Sequence, residues 1–105
     1  IVNADILRRL GPDGTLVNIS RGSAVDEAAL VAALTDGIIA GAGLDVFETE
    51  PHSPDALTAF PNVVLTPHIG GHTADSHQAM QDCVLGNLEA AFQGKPLPYP
   101  VVSGS

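Results

Sequence analysis

"IIAGAGLDVF" (residues 38–47) is a nearly continuous apolar run, relieved only by small residues and by one acid near its end. Its length and its bounding Gly37 and polar "ETEP" suit a strand buried on both faces, as in a parallel sheet. Two further strands are expected around it, "TLVNIS" (15–20) upstream and "NVVLTP" (62–67) downstream. Between the first two lies "DEAALVAALTDG" (26–37), with Asp26 as N-cap, Leu30, Val31 and Leu34 at helical spacing, and Gly37 as the stop. A helical crossover of that length joins parallel neighbours, so the chain reads as α/β, a parallel sheet flanked by helices.

The outer segments extend this pattern. "NADILRRLGPDG" (3–14) suits a short helix capped by Asn3 and stopped at Gly11, with Arg8 and Arg9 where the helix dipole favours cations. "ETEPHSPDALTAFP" (48–61) is a Pro-rich connection with one helical turn around Ala56–Ala59. Thr73 caps a long helix over 73–93. Met80, Val84, Leu88, Ala91 and Phe92 form its apolar stripe, and Asp75, Gln78, Asp82, Glu89 and Gln93 take the opposite face. Gly94 ends that helix, and 94–105 is an extended tail.

The totals narrow the function classes. The chain has 105 residues, 45% of them hydrophobic and 15% charged, which is a globular composition for one small domain or part of one. Twelve acids against four bases give a net charge of −8, which disfavours nucleic acid and anionic membranes as partners. The single cysteine, Cys83, excludes an internal disulfide, reads as buried filler of the long helix, and fits a reducing cytosol. No apolar run of about 18 residues marks a membrane span.

In a parallel sheet, ligands collect beyond the carboxyl ends of the strands. Those ends carry Ser20 and Arg21, then Asp45 to Glu50, then Pro67 to Gly71. Arg21 offers a planar, permanently charged fork suited to a carboxylate, or alternatively a surface partner for Asp26 or Glu27. Asp45 is an acid inside an apolar run and needs hydrogen-bond partners, or else caps a turn. Glu48 and Glu50 follow, and spacing alone does not choose between them. His68 is the one imidazole at a strand end, entered through Pro67 and followed by Gly70 and Gly71, which permit close approach. A carboxylate beside such a ring favours its charged form and makes a proton donor usable near neutrality.

Two other patterns are set aside. "GAGLDV" (41–46) looks like the start of a dinucleotide loop, but it falls within a strand and Val46 stands in the third glycine's place; close helix packing explains the glycines better. His68, His72 and His77 lack the separation and the companions of a metal set, so no metal is expected.

"LVNISRGSAVDEAALVAAL", "GAGLDVFETEP" and "NVVLTPHIGG", in that order, closely resemble the D-isomer-specific 2-hydroxyacid dehydrogenases. The likeness runs from about residue 2 to 102, and "GPDGTLVNISRG" with "GKPLPYPVV" suggests the glyoxylate/hydroxypyruvate and 2-ketogluconate reductases within that family. The resemblance implies the C-terminal half of a Rossmann-like NAD(P)-binding domain over 1–72, a connecting helix at 73–93, and a tail over 94–105 returning toward a substrate domain. It implies NAD or NADP as cofactor, a small 2-keto/2-hydroxy acid as substrate, a homodimer, and an N-terminal part of the same enzyme as the missing partner. Alone, the chain is then expected to be inactive.

By the same resemblance, Arg21 binds substrate, Glu50 (not Glu48) is the catalytic glutamate, and His68 is the general acid/base. Asp45 matches the aspartate contacting the nicotinamide carboxamide, and Ser20, Gly70 and Gly71 lie against the nicotinamide end. Formate dehydrogenases share the fold but resemble "PQP" where this chain has "TEP", and an acid at position 50 favours a hydroxy/keto acid couple. Two other readings stand beside it: a non-enzymatic NAD-sensing corepressor, and a fragment acting as a folding or interaction module.

Overall fold

The computed structural model describes residues 1–102. They form two units, Ile1–Gly70 and a second from Gly71 onward. In the first, α1 (Ala4–Leu10), β1 (Thr15–Asn18), α2 (Glu27–Thr35), β2 (Gly41–Leu44), α3 (Asp55–Thr58) and β3 (Val63–Leu65) follow one another, with a single 3-10 turn at Gly22–Ala24. The strands form a parallel sheet in the order β1-β2-β3. The expected caps are present: Asn3 Oδ1 accepts from the Ile6 amide and Asp26 Oδ1 from the Ala29 amide, each at 3.1 Å.

All three strands are shorter than the apolar runs that announced them. Residues 38–40 bend before β2 begins, and 45–47 leave the ladder. The Asp45 amide still bonds the Asn18 carbonyl at 3.0 Å, so the chain departs from the sheet only as its acids begin.

The central strand is buried at Gly41, Ala42 and Leu44 and half-buried at Gly43, and the register separates the two faces of the sheet. Leu16, Ala42 and Val63 share one row, and Asn18, Leu44 and Leu65 another on the same face. That face joins a core in which Leu7, Leu30 and Leu57 are fully buried. The intervening row is Val17, Gly43 and Val64, and its two valines are 66% and 68% exposed. Within the described residues the sheet is covered on one face. The glycines also act differently from expectation: a Cβ on Gly41 would lie 2.5 Å from the Asn62 carbonyl oxygen, so Gly41 admits a neighbouring chain rather than a helix.

The second unit contains α4 (Ala74–Phe92), capped by Thr73, whose hydroxyl accepts from the Ser76 amide at 3.0 Å. Its apolar stripe is exposed, Phe92 most of all at 89%. Cys83 is half-buried rather than buried, because α4 buries no residue fully. Beyond Gly94 the chain turns back, and Asn87 exchanges two hydrogen bonds with the Tyr99 main chain, at 2.8 and 2.9 Å. Residues 103–105 of the expected tail lie outside the described residues. Among the described residues, no helix is long and apolar enough to cross a membrane.

Leu30, on α2, is one of the three fully buried leucines of the core. Leu30→Ala is expected to destabilise the fold by about 2–5 kcal/mol, measured as a lower urea midpoint at unchanged slope in far-UV circular dichroism.

Candidate active site

The carboxyl ends of the three parallel strands point to one edge of the sheet, and the sequence-singled residues lie on the segments leaving them. At the end of β1, Asn18 is 6% exposed and turns its amide back on the chain. Its Nδ2 donates to the Arg21 carbonyl at 2.9 Å, while its Oδ1 accepts from the Ser20 amide at 3.1 Å and the Ser20 hydroxyl at 2.7 Å. Sequence reasoning passed over Asn18; its signal was a carboxamide in an otherwise apolar strand. Arg21 forms no ion pair with Asp26 or Glu27 among the described residues. Its Nη1 instead donates to the Ser20 carbonyl at 2.7 Å.

Asp45, just beyond β2, is also only 6% exposed. Its Oδ1 accepts from the Thr66 hydroxyl at 2.5 Å and the Ile69 amide at 2.9 Å, and its Oδ2 accepts from the Gly70 amide at 3.0 Å. These bonds, led by Thr66 and followed by the two amides, hold its carboxyl at about 2, down from 3.8. The buried acid is therefore a clamp across the turn after β3. Gly70 belongs to the same contact, since a Cβ there would stand 3.1 Å from Asp45 Oδ2. Gly71 opens the second unit, and a Cβ on it would meet nothing within 4 Å.

The residue at the centre of that turn is His68, which has φ 56°. A left-handed backbone costs a non-glycine residue roughly 1–2 kcal/mol, and such strain persists only where its surroundings over-determine it. The Asp45 bonds on either side, with the His68 amide on the Thr66 carbonyl at 3.1 Å, do so here. The ring's Nδ1 lies 2.6 Å from Glu50 Oε2. Glu50 Oε1 accepts from the Phe47 amide at 3.2 Å, so this carboxylate fixes its own loop and the ring together.

The hydrogen bond to His68 is the main reason the Glu50 carboxyl sits below its ordinary 4.5; the Phe47 amide adds to it, partial burial opposes, and the His68 and Arg21 charges contribute last. An ionised carboxylate only accepts, so the proton of this pair resides on Nδ1 and leaves Nε2 as the free ring nitrogen. Arg21, Ser23, Phe47, Glu48, Glu50 and His68 line one open cleft of about 480 Å³. A smaller cavity of about 90 Å³, lined by Phe47, Glu50, Pro51, Pro67 and His68, adjoins the pair.

A parallel α/β sheet that gathers its polar side chains at the carboxyl edge places a ligand there, as Rossmann-type nucleotide-binding proteins do. The comparisons are narrower. Residues 1–70 match the family model described as "D-isomer specific 2-hydroxyacid dehydrogenase, NAD binding domain", and the chain belongs to that family.

A hydroxyphenylpyruvate reductase of Plectranthus scutellarioides is 54% identical over 97% of this chain and 33% of its own length. A glyoxylate/hydroxypyruvate reductase of Arabidopsis thaliana is 53% identical over the same shares. The crystal structure of an NADPH-dependent glyoxylate/hydroxypyruvate reductase from Sinorhizobium meliloti, in complex with citrate, superposes with a TM-score of 0.92 at 55% identity, over 96% of this chain and 32% of that one. The chain spans about a third of the length of the relatives it matches.

The depressed Asp45 carboxyl has a defined pH signature. Its contribution to stability is complete above the unfolded value of 3.8 and is lost as pH falls through about 2. Asp45→Asn is expected to be less stable than wild type at neutral pH, with the gap closing across that acid window in denaturant titrations. A gap constant from pH 6 to 2 would contradict the clamp.

Proposed function

We propose that this chain contributes the proton-transfer and carboxylate-binding part of an NAD(P)H-dependent reductase acting on small 2-keto acids of the glyoxylate/hydroxypyruvate type. The observation carrying the reading is the 2.6 Å contact between His68 Nδ1 and Glu50 Oε2, on a cleft that Arg21 also lines. Arg21 binds the substrate carboxylate through its guanidinium fork and polarises the adjacent carbonyl. His68, entering with both ring nitrogens protonated, delivers the Nε2 proton to the carbonyl oxygen and is left neutral with its Nδ1–H on Glu50. Glu50 holds the ring's orientation and stabilises its charged form.

The residues present suit a nicotinamide dinucleotide. Asp45 Oδ2 takes a single hydrogen bond and keeps one acceptor site for a carboxamide N–H. Ser20 and Gly70 stand at the same strand ends, with Gly71 next in the chain, which supports assigning all three to the nicotinamide side. The bound cofactor supplies the hydride. The second unit serves as the connecting helix and tail. The exposed stripe of α4 and the open sheet face support packing against further parts of a relative-length enzyme and against a second subunit in a homodimer. The half-buried, unpaired Cys83 is consistent with a cytosolic enzyme.

A polypeptide of the relatives' length carrying this chain is expected to oxidise NADH or NADPH in the presence of glyoxylate or hydroxypyruvate. Absence of turnover with every 2-keto acid tried would overturn the reading. Within that enzyme, His68→Gln should lower kcat by roughly 10²–10⁴-fold while the cofactor's Kd changes little. Arg21→Lys, which keeps the charge but loses the fork, should chiefly raise KM for the keto acid.

A further inference from the structure

The cleft depends on the spacing between the two segments that line it, and one residue outside the lining, Glu27, helps to set that spacing. Arg21 leaves β1 and Glu50 leaves β2, and no hydrogen bond joins the two side chains among the described residues. Two contacts fasten their segments together. One is steric: a Cβ on Gly22 would lie 2.1 Å from the Phe47 carbonyl carbon and oxygen and 2.4 Å from the Glu48 amide nitrogen, so the residue after Arg21 rests directly on the 47–48 peptide. The other is polar: Glu27 Oε1 accepts from the Glu48 amide at 2.6 Å, 21 residues along the chain.

Glu27 is free to make that bond. It is the first residue of α2, but Asp26 already supplies the cap through the Ala29 amide, so the helix has no need of the Glu27 carboxylate. The bond spans from the arginine's side of the cleft to the peptide two residues before Glu50, and the Phe47 amide on the same loop is taken by Glu50 itself. Deleting the Glu27 acceptor would free the Glu48 amide and let the 47–50 loop move relative to the Gly22 turn.

We infer that Glu27 is a positioning residue, setting the distance between the Arg21 guanidinium and the Glu50–His68 pair by holding the Glu48 amide. The inference rests on the reductase reading for its kinetic consequence, because a 2-keto acid must meet the guanidinium and the imidazole at once. Its structural consequence is independent of any activity.

The test uses the relative-length enzyme with Glu27→Ala and Glu27→Gln, with amide hydrogen exchange followed in the peptide covering 44–50. Glu27→Ala should lower kcat/KM for glyoxylate about tenfold, the scale of one lost charge-assisted hydrogen bond. It should leave the KM of the reduced nicotinamide within about twofold and speed exchange at 47–48. Glu27→Gln keeps the acceptor oxygen and should restore most of both properties.

Unchanged exchange in Glu27→Ala, equal losses for keto acid and cofactor, or a Gln variant as impaired as the Ala variant would each overturn the inference. A wild-type enzyme without turnover would sink the functional reading alone, and the exchange data would then decide whether Glu27 holds the loop.

Discussion

One buried carboxylate organises the functional edge of this sheet. Asp45 leaves β2 at the point where the ladder ends, and its two oxygens collect a hydroxyl and two amides from the turn after β3. Those bonds, together with the His68 amide on the Thr66 carbonyl, compensate the left-handed backbone of His68, and without them an acid this nearly buried would stand without partners. The arrangement answers two costs together. The carboxylate is desolvated but satisfied, and the turn is strained but over-determined. Asn18 plays a parallel part at the end of β1, where its carboxamide shapes the Ser20–Arg21 turn. Each strand thus ends on, or is followed at once by, a polar side chain that fixes the main chain around Arg21 or His68, or by the partner of one.

Much of this was legible in the residue string, and for identifiable reasons. Hydrophobic runs and caps located every strand and helix, because Asn3, Asp26 and Thr73 are the side chains that satisfy orphan amides at helix starts. The parallel order followed from the crossover length. Strand limits were overestimated because apolarity reports burial, not ladder pairing: Ile39, Val46 and Phe47 are buried outside β2. The exposure of Val17 and Val64 on the flanking strands went unforeseen for a related reason. Apolar character marks a surface suited to burial whether or not anything in this chain covers it.

For the site, the convergence of Arg21, Glu50 and His68 on one cleft was expected from strand ends and from family resemblance. What stayed hidden was the wiring beneath it. Glu27 reads as a generic first-turn acid, Thr66 as a strand residue and Asn18 as an oddity, because their partners lie 2 to 21 residues away and are mostly main-chain groups that leave no trace in side-chain pattern. The main departure from expectation at Asp45 is of emphasis. The resemblance assigns it to a cofactor, whereas three of its acceptor positions already serve the protein.

The left-handed His68 has a consequence for how effort is divided over time. The bonds that hold its backbone are internal to the first unit and exist before any ligand arrives. The cost of orienting the imidazole is therefore met once, when the chain folds, and is not charged again to each encounter. The Nδ1 contact with Glu50 adds a restraint on the ring itself, so a ligand entering the cleft meets an imidazole already tied at one nitrogen.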